Sequence, residues 1–204
     1  MMEGNRAFEL MLAPAREWLE GRDPEEIARM SGAVYDAGSS ALRLTSLGQA
    51  FEIHWPDCRV SPDVDAWWQL VMLHYLHGAS GAGVHGELMN FAALPGGLAR
   101  GGNYDRQSAN ELGAMLGELP IERVEAACRA MGARIVDSNA DVCAEFDFLP
   151  RYPMTVKLWL AEDDIPASAR LMLDASAASY LSVEDAVTAG TILIERLRAQ
   201  LGAN

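Results

Sequence analysis

The spacing of apolar positions changes period several times along the chain, and each change marks an expected element. Residues Asn5 to Glu20 and Pro24 to Met30 read as two helices. The second opens on Asp23 as N-cap, with Pro24 at the first helical position and Glu25 and Glu26 in the first turn. Pro14 should break or bend the first. Between Ala41 and Trp55 the period falls to two: Phe51, Ile53 and Trp55 share one face, Glu52 and His54 the other, and Ser46-Leu47-Gly48 supplies a turn. That is a β-hairpin with one wet face. Ser61 then caps an expected helix from Pro62 to about His77, on which Val64, Trp67, Trp68, Val71, Met72 and Tyr75 form one stripe. Leu70, Leu73 and Leu76 carry apolar surface almost all the way round, so this helix belongs in the interior.

Gly78 to Gly86 is a glycine-rich connection, Leu88 to Leu94 a short apolar stretch fit for a strand, and Pro95 to Gly102 a second glycine-rich loop. Helices are expected from Arg106 to Leu119 and from Ile121 to Met131. Strict alternation returns at Val142, Ala144, Phe146 and Phe148, and again at Met154, Val156, Leu158 and Leu160; Leu149-Pro150-Arg151-Tyr152-Pro153 joins the two as an antiparallel pair. A helix is expected to begin near Pro166, with Ala169, Met172, Leu173, Ser176, Ala177 and Tyr180 as its stripe. Ser182 caps a last one, with Glu184 and Asp185 in its first turn and a seam of Val183, Val187, Gly190, Ile194, Leu197 and Leu201. Strands bracketed by groups of helices without a βαβ rhythm predict an α+β fold: a single domain over 1–204 in which an antiparallel or mixed sheet packs with several helices, and 1–40 form a helical N-terminal extension.

Charge narrows the partners. Sixteen basic against 29 acidic residues leave −13, which argues against nucleic acid and anionic membranes, since both need clustered positive charge. No apolar run reaches bilayer length and the N-terminus has no secretory pattern, so a cytoplasmic location is expected. Cys58, Cys128 and Cys143 are far apart and form no C-x-x-C pair, so reduced, buried thiols are expected.

Three constellations offer chemistry. His74 and His77 lie three apart near a helix end, where a glycine-rich loop can return His85 and Glu87 toward them, as a divalent metal or a tetrapyrrole iron requires. The H-E-x-x-H spacing is absent, and a structural core imidazole is the competing reading of His74. Gly96, Gly97 and Arg100, in the stretch from Leu94 to Tyr104, offer backbone N–H groups and a charge to an anion, without the Lys-Ser/Thr of a phosphate-cradling loop. Glu162-Asp163-Asp164, with Glu145 and Asp147 on an adjacent strand face, suit a hard cation or an acid and base pair, against helix capping and a solvated face with Lys157 opposite. No G-x-S-x-G elbow occurs.

Phe148-Leu149-Pro150-Arg151-Tyr152-Pro153, Leu158-Trp159, Asp163-Asp164-Ile165-Pro166-Ala167-Ser168-Ala169, Leu173-Asp174 and Tyr180-Leu181 with Glu184-Asp185 resemble a family known as domain of unknown function number 3786. Leu73-His74-Tyr75-Leu76, and Phe91 to Gly97 followed by Tyr104, are similar to it as well, so the resemblance covers the chain from about Ala41 onward. It implies no activity. It implies a setting in anaerobic prokaryotes, redox or metallocofactor-related, in which some members carry an N-terminal iron–sulfur domain. This chain has no cysteine-rich N-terminus, and it has Ala92-Ala93 where a more polar pair is expected.

Together these readings favour a small-molecule or cofactor-binding accessory protein of anaerobic metabolism, its pocket between the helix of Trp67, Trp68 and His74 and the glycine-rich loops. His74 is the expected orienting group and Arg151 the anion contact, with Tyr104, Trp67, Gly96 and Gly97 completing the site. A second reading is a metal-dependent enzyme with His74, His77, Asp163 and Asp164 as ligands or acid and base. A third is an interaction module whose acidic surface recruits a basic partner protein. No particular cofactor is specified, and a homodimer is the default assembly.

Overall fold

The computed structural model describes residues 2–162 and 165–202. Among the described residues two antiparallel sheets and six α-helices enclose one core, an α+β single domain. The first sheet is a meander in the order β1 (Val34–Asp36), β2 (Ala41–Ser46), β3 (Gln49–His54) and β4 (Arg59–Ser61). The second runs β5 (Leu88–Met89), β9 (Ser168–Asp174), β8 (Tyr152–Trp159), β7 (Val142–Leu149) and β6 (Arg134–Ile135). The helices are α1 (Met2–Leu19), α2 (Pro24–Ser31), α3 (Ala66–Gly78), α4 (Gly97–Leu116), α5 (Ile121–Ala130) and α6 (Val183–Gly202).

Helix α3 is the interior rod that its sequence requires. Trp68, Gln69, Val71, Met72, Leu73, Tyr75 and Leu76 are buried against α1, α2 and α6. It starts later than Ser61, because Ser61 pairs with Glu52 in the β3–β4 ladder; Asp65 caps the helix instead, accepting from the Trp68 N–H at 3.0 Å. The Trp68 indole N–H donates to Ser46 Oγ at 3.0 Å, which joins the rod to the turn of the first hairpin. At the N-terminus Asp23 caps α2 as its sequence predicts, and α1 runs through Pro14 without ending.

Other expectations change as well: the apolar stretch from Leu88 to Leu94 is a strand only at Leu88–Met89 and turns into a 3-10 helix at Phe91–Ala93. The segment after Pro166 is the strand β9 and not a helix: Ala169, Leu171 and Leu173 point inward, and the strand pairs along β8 from Met154↔Leu173 to Trp159↔Ser168. A helix there would leave a long edge of β8 unpaired, at a cost that local propensity does not offset. The second glycine-rich stretch is not a loop either, because α4 begins at Gly97. Its glycines serve close packing: a Cβ on Gly97 would stand 2.4 Å from the Phe91 carbonyl oxygen, and one on Gly101 only 2.2 Å from it. Asp105, one turn further along α4, accepts from the Phe91 and Ala92 N–H groups at 3.0 Å each and so fixes the short 3-10 turn against the helix.

The first glycine-rich stretch is also pinned. Buried Asp174, at the end of β9, accepts from the His85 N–H at 3.0 Å and the Gly86 N–H at 2.7 Å, while its own neighbour Ser176 supplies two further bonds. Burial pushes this carboxyl up, but the bonds from Ser176, His85 and Gly86 prevail and hold it below the ordinary aspartate value. The Tyr180 hydroxyl donates to the Ala82 carbonyl. The backbone beside the α3 terminus is therefore glycine-rich and held in place.

Candidate functional site

The C-terminal turn of α3 meets the N-terminal turn of α6 at one ionisable pair. His74 and Asp185, with side chains 21% and 17% exposed, approach to 2.7 Å between Nδ1 and Oδ1. Ser182 caps α6 in both directions: its Oγ accepts from the Asp185 N–H at 3.2 Å and donates to Asp185 Oδ2 at 2.8 Å. Burial alone would raise the Asp185 carboxyl, yet the hydrogen bonds from His74 and Ser182 and the charge of His74 outweigh it and hold the group below its usual range. An ionised carboxylate only accepts, so Nδ1 of His74 carries a proton and donates it to Asp185.

Three further side chains lie around this junction. Trp18 of α1 lies over both imidazoles, its ring 5.3 Å from that of His74 and 5.0 Å from that of His77, tilted by 35° and 34°. Arg22 donates to the His77 carbonyl at 2.9 Å and closes the end of α3. Tyr152, fully buried, has a hydroxyl without a hydrogen-bond partner; burial, reinforced by the charge of Asp185, holds this phenol far above its ordinary value and so neutral. Gly78, Pro95 and residues 178–184 line a cleft of about 380 Å³; Ser182 links it to the pair, while His74 and Asp185 themselves are not among its lining residues. A Cβ on Gly78 would come 2.6 Å from the Tyr180 carbonyl, so the α3 terminus passes this wall at a distance only glycine allows.

Of the residues expected at a site, His74 and His77 come together, and Pro95 of the second glycine-rich stretch is at the cleft. Gly97 is buried under the 3-10 turn with its N–H bonded to the Leu94 carbonyl at 2.7 Å, and Gly96 is the left-handed residue that precedes α4. Tyr104 is buried between α4 and α6, against Gly190, whose Cβ would stand 2.5 Å from its hydroxyl. Trp67 is 56% exposed on the outer side of α3 and is not among the residues lining the cleft. Arg151 donates from Nη1 to the Gly81 carbonyl at 2.8 Å and from Nη2 to the Arg29 carbonyl at 3.2 Å, and its backbone N–H donates to the Tyr75 hydroxyl at 3.0 Å. Its guanidinium is thus a fastener between α2 and the glycine-rich stretch. His85 is exposed and gives its backbone N–H to Asp174. Asp163 and Asp164 lie outside the described residues, among which no three His, Cys, Asp or Glu side chains form a metal-binding group. Glu145 pairs with Arg134 at 3.1 Å.

Asp185, Ser182 and Trp18 are the members that sequence patterning misses. Ser182 and Asp185 carry a capping signature that fully explains them locally, and nothing in the chain marks a partner 111 residues away.

The fold is an α+β domain in which a carboxylate holds an imidazole at the junction of two helix ends. The chain belongs to the domain of unknown function family DUF3786, whose model matches residues 23–196. No curated protein and no solved structure matches the chain. Among the described residues no helix is long and apolar enough to cross a membrane.

Proposed function

We propose that this chain binds a small polar molecule in the cleft between the end of α3, Pro95 and the start of α6, with His74 as the group that orients it. The observation that carries this reading is the His74–Asp185 contact of 2.7 Å, in which a partly buried carboxylate engages Nδ1 and leaves Nε2 outside that bond, at the helix junction that Ser182 shares with the cleft. The cleft volume of about 380 Å³ suits a metabolite-sized ligand. An accessory role in anaerobic metabolism is the setting that the family resemblance adds to this proposal.

A second reading, a metal-dependent enzyme, draws on the same contact. A histidine whose Nδ1–H is held by a carboxylate is the arrangement that orients metal-ligating imidazoles, and His77 lies one turn away under the same indole.

One experiment separates the readings. Anaerobically purified protein is analysed for metals and then screened by thermal shift against a panel of polar metabolites, in parallel with His74→Ala and Asp185→Asn. A compound that raises the melting temperature of the wild type and of neither variant supports the binding proposal, since only native-state ligands stabilise. Stoichiometric metal lost in His74→Ala supports the enzyme. Compounds that stabilise all three proteins equally, in metal-free samples, overturn both.

A further inference from the structure

A larger cleft lies elsewhere, on the outer face of the five-stranded sheet, and it shares no lining residue with the cleft between the end of α3 and the start of α6. Its volume is about 720 Å³. Its floor is made by β8 and β9, where Lys157 stands directly opposite Arg170, Trp159 opposite Ser168, and Met172 one pair further on. One wall is the turn at Asn139, fixed by three contacts. The Trp159 indole N–H donates to the Asn139 carbonyl at 2.8 Å, Lys157 Nζ to Asn139 Oδ1 at 3.2 Å, and the Leu160 N–H to Asp141 Oδ2 at 2.8 Å. The wall, the indole and the ammonium are therefore set in position without a ligand.

Charge singles this place out. Lys157 is the only lysine in a chain with 15 arginines. Other sheet arginines face carboxylates: Arg43 pairs with Asp36 and Glu52, and Arg134 with Glu145. Lys157 and Arg170 form no ion pair among the described residues, although the chain has 29 acidic side chains. Like charges directly across a strand pair repel, and their Cβ atoms are held only about 5 Å apart. An anion set between them offsets that repulsion and gains a charge-assisted bond from each, the guanidinium as a planar fork and the ammonium as a compact point charge. Asp141 and Glu162 also line the cleft, and repulsion from these carboxylates disfavours ligands with several anionic groups, such as polyphosphates and nucleic acid. Trp159, Met172 and Ile165 provide apolar surface for the rest of the molecule.

We infer that this cleft is a second binding site, for a small organic anion that carries one carboxylate or phosphate on a flat apolar body. Lys157 and Arg170 hold the acid group and Trp159 stacks on the body. The inference is independent of the site beside His74.

The single lysine makes the test direct. Pyridoxal phosphate, a planar aldehyde with one phosphate, condenses with an amine to an imine and water, and borohydride reduces the imine to a stable adduct. Whole wild-type protein is titrated with this probe, and labelling of the Lys157 peptide and of the N-terminal amine is followed by mass spectrometry. Labelling at Lys157 should saturate, be suppressed by phenyl phosphate or by benzoate but not by benzyl alcohol, and need about tenfold more probe in Arg170→Gln, the loss expected for one charge-assisted bond. Suppression by phenyl phosphate alone identifies the acid group as phosphate, and by benzoate alone as carboxylate. Binding of the same two anions to unlabelled protein, followed by calorimetry on the wild type and on Trp159→Phe, gives a readout free of the covalent step, and affinity should fall in the variant. Labelling that rises linearly with probe, or that Arg170→Gln and both anions leave unchanged, overturns the inference.

Discussion

If the His74–Asp185 contact orders the junction of α3 and α6, its removal must show as pairwise coupling and not only as lost stability. His74→Ala and Asp185→Ala, made singly and together, isolate that term. Both side chains are less than a quarter exposed, so solvent screening is modest and the charge-assisted bond at 2.7 Å should contribute about 1.5–3 kcal/mol. Asp185→Ala also loses the Ser182 bond and a favourable charge in the first turn of α6, together about 1–2 kcal/mol more. The single aspartate variant should therefore unfold at a clearly lower urea midpoint and melt roughly 5–20 °C lower, at about 2–4 °C per kcal/mol for a chain of this size. In the cycle, the double variant should be less destabilised than the two single losses together by about 1.5–3 kcal/mol. The assay is urea unfolding followed by circular dichroism at pH 7, repeated down to pH 3. Since hydrogen bonds lower the Asp185 carboxyl in the folded chain, its contribution is whole above about pH 5 and fades as pH falls through and below the ordinary aspartate value of about 4. The gap between wild type and Asp185→Ala should narrow over that window. A coupling below about 0.5 kcal/mol, or a gap that stays constant into acid, refutes the assignment.

Gly101→Ala should destabilise the chain by about 1–3 kcal/mol, since its Cβ would fall 2.2 Å from the Phe91 carbonyl oxygen; a urea midpoint equal to wild type counts against the close packing of α4 on the 3-10 turn. Arg151→Met removes bonds to the Gly81 and Arg29 carbonyls, and hydrogen exchange in residues 79–86 should quicken at least several-fold, whereas unchanged protection there argues that the guanidinium fastens nothing. Burial pushes the thiols of Cys58 up to about 11 and of Cys128 up to about 12, with Asp57 and Glu125 adding to the respective rise. At pH 8 iodoacetamide should leave both unmodified in the native protein and alkylate both in urea; native alkylation within minutes contradicts their burial.

Much of this architecture was legible in the pattern of residues. An almost wholly apolar run from Trp67 to Leu76 has only one place to go, and α3 lies in the interior. The two hairpins and the seam of α6 follow from periods of 2 and 3.6, and each is strengthened by turn or cap residues. The strand β9 was not legible. Its alternation of Ala169, Leu171 and Leu173 is blurred by Met172, and what decides it is the open edge of β8, a neighbour that local reading does not see. Glycines 97 and 101 misled for a related reason: small residues chosen to let two backbones touch look the same in sequence as residues chosen for a loop. The candidate site divides along the same line. His74 stands out as a polar residue on an apolar rod, while Asp185 and Ser182 are satisfied as helix caps, so their second role appears only when α3 and α6 are brought together. Lys157 is conspicuous as the sole lysine, but its opposition to Arg170 depends on the register of a strand that patterning assigned to a helix.

The way Arg151 is used has a mechanical consequence. One guanidinium grips a carbonyl from the last turn of α2 and another from the glycine-rich backbone after α3, and it projects from a tight turn that is itself latched to Tyr75. These three segments cannot shift one at a time. A displacement of the backbone beyond Gly78 must therefore either carry α2 along with it or break the grip on Gly81.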